Sequence, residues 1–106
     1  MENNKISVKR LETTGSKEAY ASSYTYENID CYIEKTRPEV AIMYGDENAF
    51  NTFLCVINQI LDIRKSDLII DQNSNQYRVS GFQKFDNPEI DSHMELIMQQ
   101  KNADTN

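Results

Sequence analysis

ENAFNTFLCVINQILDIR, residues 47–64, admits two secondary structures, and the choice between them decides the fold. Phe50, Phe53, Leu54, Ile57, Ile60 and Leu61 recur at the spacing of one helix face. A helix would turn Asn51, Thr52, Cys55, Val56, Asn58 and Gln59 to solvent, a face with no charge and poor helix propensity. The run FNTFLCVI is instead dense in aromatic and β-branched side chains, and it stops at the turn-forming Asn58 and Gln59. Strand is the preferred reading; a helix over 48–61 is its alternative.

The segments on either side favour strands. In SDLIIDQNSNQYRVSGFQKF (66–85), the apolar Leu68, Ile69 and Ile70 precede the turn residues QNSN, after which Tyr77 and Val79 resume a period of two. That is a β-hairpin, with Leu68, Ile70, Tyr77 and Val79 as its wall residues. Gly81, inside a strand pattern, marks a bulge or bend. FDNPEID (85–91) reads as a loop, and SHMELIMQQ alternates Met94, Leu96 and Met98 inward against His93, Glu95, Ile97 and Gln99 outward.

Toward the N-terminus, KISVKRL (5–11) sets Ile6 and Val8 in strand phase with Leu11 one step out of it. ETTGSKEAYASSYT (12–25) is a long loop or an extended ribbon tip. NIDCYIEK (28–35) alternates Ile29, Cys31 and Ile33 with polar neighbours, as a half-buried strand does. In TRPEVAIMYG (36–45) the pattern changes: Thr36 and Glu39 form a capping box around Pro38, and Gly45 suits a helix end. A helix of about two turns is expected there, packing Val40, Ile42, Met43 and Tyr44 onto the barrel or onto a neighbouring subunit. The fold class is therefore mainly β: a small antiparallel barrel or sandwich of about six strands, with one short helix and a long protruding loop or ribbon. Residues 1–100 form a single domain and 101–106 a frayed, disordered tail.

A chain of 106 residues and 12.3 kDa is large enough for one modest core. Eleven Lys and Arg against 17 Asp and Glu give a net charge of −6 and a pI near 4.7, which opposes a tight grip on nucleic-acid phosphates. The N-terminus MENNKISVKR has no apolar stretch of the kind a signal peptide carries, and no segment approaches the roughly 18 apolar residues of a spanning helix. No secretory signal and no membrane partner are expected. Cys31 and Cys55 stand apart in apolar runs without a CxxC pattern and read as reduced, buried small hydrophobes.

Catalysis is poorly provided for. His93 is the single histidine and would have to serve any nucleophile-and-base site. Gly15, Gly45 and Gly81 are too scattered to cradle phosphate, and the zinc-ligand set is too small. No enzyme activity, cofactor or metal is expected. Asp67 and Asp71 bracket a strand as a cation site would, but carboxylates at hairpin ends are usually turn formers.

Taken in order, the first strand, the Tyr- and Ser-rich ribbon, a second strand, the capped RPE helix, the F-x-T-F strand, D-I-R-K-S-D-L-I-I-D, Q-Y-R-V-S-G-F and the terminal H-M-E-L strand carry a resemblance. Over roughly residues 5–100 the chain resembles the small head-completion proteins of tailed bacteriophages, also called head-tail adaptors, connectors or stoppers. Asp62 to Phe82 is the most specific part, with Ser66 where the family commonly has glycine before the Asp.

The resemblance implies a virion protein at the head-tail junction, made in the host bacterial cytoplasm. It would form a homo-oligomeric ring, usually dodecameric in the family, beneath the portal or an adaptor and above a tail protein. The ring would extend or close the channel for passing double-stranded DNA without reading its sequence. A charge of −6 per copy would keep such a duct from holding phosphates. By position, Tyr20, Tyr24 and Tyr26 are the candidates for the subunit or portal interface, although tyrosines there also simply cover a barrel. Asp46, Glu47 and Asn48 are the candidates for a channel-facing loop, although such a trio is more often a plain solvated turn. His93 and Glu95 read as ordinary surface or ring-interface residues. An OB-type single-strand binder would share the architecture, and a tail-side ring component such as a tail terminator or an SH3-like module would fit the composition equally well. An OB-type binder needs a basic groove with stacking aromatics, of which Arg78, Lys84 and Phe82 supply a fragment.

Overall fold

The structure, a computed structural model, describes residues 4–35, 52–87 and 91–101. These form β1 (Asn4–Lys9), β2 (Leu11–Thr14), β3 (Lys17–Tyr20), β4 (Tyr26–Lys35), β5 (Thr52–Ile57), β6 (Leu68–Asp71), β7 (Gln76–Asn87) and β8 (Asp91–Gln100). Six of them close into an antiparallel barrel in the order β1-β4-β5-β8-β7-β6, with β6 pairing back onto β1. Closure gives each barrel strand a neighbour on both sides over part of its length, which removes most of the exposed edge of an open sheet. β2 and β3 stand apart from it as a two-stranded ribbon. No helix occurs among the described residues; the helix expected at 36–45 lies outside them.

The segment with two readings is a strand from Thr52 to Ile57. Cys55 faces Ile33 on β4 and Leu96 on β8, so a strand there completes the barrel wall on both flanks, which a helix would leave open. Beyond it, residues 58–67 carry Ile63 into the core and lay Ile60 and Leu61 against it. The core otherwise consists of inward residues at a period of two: Ile6 and Val8, Cys31, Cys55 and Ile57, Tyr77 and Val79, and Met94, Leu96 and Met98. Burying each large aliphatic contributes roughly 1.5–3 kcal/mol.

Four details differ from the expectation. The first strand ends at Lys9, and Leu11, out of phase with it, opens the ribbon instead. The expected loop at 85–91 is shorter, because β7 runs on to Asn87 and β8 starts at Asp91. On β6 the core residue is Ile69, paired with Tyr77 and Val8, so Leu68 and Ile70 fall on the opposite face. Ile97 does point outward between Leu54 and Gly81, yet it is only 1% exposed.

Two bulges shape the wall. β1 and β4 slip register between Ile6 and Val8, where Asn28 takes a left-handed φ of 55°, a conformation Asn tolerates better than most residues. β7 and β8 slip between Val79 and Gly81, the position where the sequence places a bulge.

Candidate functional site

Two features project from this barrel, the β2–β3 ribbon and the far end of the β7–β8 hairpin, and a polar knot ties the ribbon's root down. The ribbon leaves after Lys9 and returns at Tyr26, on strands that are neighbours. Its base is closed by Ala21 N–H donating to the Arg10 carbonyl at 2.9 Å and Thr25 N–H donating to the Val8 carbonyl at 2.7 Å. Gly15 makes its turn with φ of 63°, where a side chain would be strained. From Glu12 to Ala19 every side chain is exposed.

At the root, Arg10 Nε lies 3.0 Å from Oδ1 of Asp67, an ion pair angled away from a linear hydrogen bond. Arg10 also donates to the Asp62 carbonyl and stands 3.7 Å from the Asp62 carboxylate. Asp67 is 1% exposed and takes the Arg64 N–H on its other oxygen at 2.9 Å. Its backbone continues the knot: Val79 N–H donates to the Asp67 carbonyl at 3.0 Å and Ser66 N–H to the Val79 carbonyl at 2.8 Å. Asp62 is gripped by Arg64 through a two-pronged pair at 3.1 and 3.0 Å, which holds its carboxyl below the usual range. Ser66 adopts φ of 78°, the left-handed conformation that glycine would take without strain. That is the physical reason a glycine suits this position.

The candidate interface tyrosines divide. The Tyr20 hydroxyl donates to the Ser66 carbonyl at 3.1 Å, Lys101 Nζ stands 5.4 Å from its ring centre, and burial raises its pKa against the pull of Arg78. Tyr26 packs against the core and its hydroxyl accepts the Asp62 N–H at 3.0 Å. Both are therefore engaged within the chain, at the same 62–67 segment. Tyr24 is the exposed one, at 43%, with Lys9 Nζ 4.9 Å from its ring centre. Asp46, Glu47 and Asn48 lie outside the described residues.

Other residues singled out in the sequence have structural partners. The Asp71 carboxylate accepts the N–H groups of Asn73 and Asn75, each at 2.9 Å, and the Tyr77 hydroxyl at 3.0 Å, as a turn former does. Burial, and then that bond, push the Tyr77 pKa far up. His93 stacks on Phe85 with ring centres 4.6 Å apart, and its Nε2 lies 3.6 Å from Glu95. Cys31 and Cys55 are buried free thiols without a disulfide; a hydrogen bond with the Cys31 thiol, and then burial, hold the Cys55 thiol well above its ordinary value. Among the described residues no group of three His, Cys, Asp or Glu is placed to hold a metal. Nor is any helix among them long and apolar enough to cross a membrane.

The sequence reading passed over Arg10 and the buried role of Asp67. The charges were visible in KRLE and DIRKSD, but nothing local says that these two segments meet. It also missed the hairpin end. β8 keeps β5 as its second neighbour as far as Met94, whereas β7 loses β6 at Val79, so Gly81 to Asn87 pair with β8 alone among the described residues. Phe82 there is 39% exposed, with Lys84 Nζ 5.6 Å from its ring centre.

A small closed antiparallel barrel with a projecting ribbon is thus the class of protein this chain belongs to by architecture. Protein XkdH of the phage-like element PBSX of Bacillus subtilis has a similar fold, with a TM-score of 0.61 and 17% identity over 95% of this chain and 96% of that one. A protein of Shigella flexneri 2a, known from a solution structure, is similar with a TM-score of 0.64 and 15% identity over 96% and 94%. No family model and no curated protein sequence matches the chain.

Proposed function

We propose that the protein is a structural virion component of a tailed phage or phage-like element that forms a ring at the head-tail junction. In this reading the ring docks beneath the portal, extends or closes the DNA channel and offers the tail its platform. It carries out no catalysis. The observation that carries the reading is the closed barrel with an uncovered ribbon, an architecture similar to that of a protein from a phage-like element. The polar knot supports it, because a ribbon anchored through Arg10, Tyr20 and Tyr26 presents its outer half at a fixed angle while the barrel stays closed. The net charge of −6 supports the channel role, since a negative wall does not retain phosphates.

The test is to mix the purified protein with DNA-filled, tailless heads and image them. Added density at the portal vertex is the expected result, and heads that gain none refute the reading. A gel shift of single-stranded DNA at physiological salt would instead favour an OB-type binder.

A further inference from the structure

We propose that the open edge of β7, from Phe82 to Asp86, takes up the β2–β3 ribbon of a second copy of this chain as an added strand. The inference deepens the ring reading and rests on it for its biological setting.

The backbone argument starts at Val79, whose N–H and C=O both turn toward Asp67 and Ser66, away from β8. In an antiparallel strand this direction alternates residue by residue. The bulge after Val79 inserts one residue, so the alternation resumes with Phe82, Lys84 and Asp86 turned away from β8 and Gln83 and Phe85 turned toward it. No described strand takes up those outward groups. An edge of this kind is a template for strand addition. Lysine on an edge often blunts it, but Lys84 reaches back over the Phe82 ring and so lies along the face of the strand.

The donor follows from what the ribbon lacks. A two-stranded hairpin without a covering layer is marginal in water, and three strands are the usual minimum. Here the Glu12–Ala19 side chains are all exposed, and among the described residues the ribbon is anchored only at its root. Its strands, Leu11–Thr14 and Lys17–Tyr20, fit within the length of the open edge. Charge agrees: in a pairing through β3, Glu18 of the ribbon comes opposite Lys84 of the edge, and the neutral Ser16 or Tyr20 comes opposite Asp86. Donor and acceptor are different surfaces of one chain, so the contact is head-to-tail, the type that closes into rings or runs on into filaments.

Sedimentation velocity of the full-length protein up to millimolar concentration, with amide hydrogen exchange on the same samples, tests this. The expected result is concentration-dependent association in which the Phe82, Lys84 and Asp86 amides gain protection, while those of Gln83 and Phe85 are protected at every concentration. Lys84→Pro removes an outward N–H without touching the β8 ladder, so it should fold and associate about tenfold more weakly. Lys84→Gln keeps the N–H and should lose only about twofold. A variant with residues 12–19 replaced by a short Gly-Ser turn should not self-associate, yet should form a one-to-one dimer with Lys84→Pro, each supplying what the other lacks. Should Lys84→Pro fail to fold, the alternating exchange pattern in the unmodified protein still decides.

A protein that stays monomeric throughout overturns the proposal, as does association that Lys84→Pro leaves intact or a mixture that does not pair. Heads that gain density at the portal vertex without association in solution refute the strand addition and leave the ring reading standing. Association in solution with no density at the vertex does the reverse.

Discussion

Replacing Asp67 with alanine removes the one carboxylate that closes the knot from inside. Its side chain is 1% exposed, and that of Arg10, its partner at 3.0 Å, is 23% exposed. Losing one member of a fully buried pair costs about 3–5 kcal/mol, and losing the acceptor of a buried N–H, here that of Arg64, costs about 1–3. The full sum does not apply, because Arg10 is partly solvated and keeps the Asp62 carbonyl and carboxylate. A loss of about 3 kcal/mol is expected, which for a domain this small lowers Tm by about 12–20 °C. Asp67→Asn keeps an acceptor for the Arg64 N–H and loses only the charge, so about 1.5 kcal/mol is expected for it. The assay is urea unfolding followed by far-ultraviolet circular dichroism and tyrosine fluorescence, tryptophan being absent. A loss below about 1 kcal/mol for Asp67→Ala, or equal losses for both variants, would refute the inward carboxylate as the anchor.

The register of β6 predicts a sharp contrast: Ile69→Ala should cost about 2–5 kcal/mol and the adjacent Ile70→Ala less than about 1, and equal costs in urea unfolding would put the register in error. Tyr77 and Cys55 hold their protons more tightly folded than unfolded, so their contribution to stability is complete below about pH 8.5; that of Cys55 declines as pH rises above about 8.5, and that of Tyr77 only above about pH 10. Tm should accordingly fall as pH rises from about 8.5 to 11, and above about pH 10 less so for Tyr77→Phe; a flat profile to pH 11 contradicts the assignment. Ser66→Gly relieves a left-handed φ at the expense of an exposed bond from Arg78 at 3.1 Å, and should raise stability by about 0.5 kcal/mol. A loss of stability in the same unfolding assay would mean that the Arg78 bond outweighs the strain.

The barrel was largely legible because its strands advertise themselves by alternation. Ile6 with Val8, Met94 with Leu96 and Met98, and Tyr77 with Val79 are all inward as their period of two requires. Where alternation fails, so does the reading: Leu68, Ile69 and Ile70 are apolar in succession, and only pairing with Tyr77 and Val8 selects Ile69. Thr52–Ile57 was decided by the uncharged far face of the competing helix, a negative argument that a barrel strand satisfies. Ile97 has the phase of a surface residue and the exposure of a core one, which periodicity cannot distinguish. Tyrosine composition pointed to the ribbon but not to the division of labour within it. Whether a tyrosine faces a partner or its own barrel depends on where Ser66 and Asp62 arrive in space, and both lie far along the chain.

The ribbon departs from β1 and rejoins at β4, two strands that pair with each other and whose root is stitched by Ala21 and Thr25. From the barrel's side this is an ordinary hairpin connection that happens to be long. Its outer portion is accordingly free to lengthen, shorten or change composition without disturbing the wall, because loop closure grows costlier only slowly with length. A lineage under pressure to recognise a different neighbour could rewrite residues 12–19 alone, keeping Arg10, Tyr20 and Asp67 as the fixed socket into which each new tip is set.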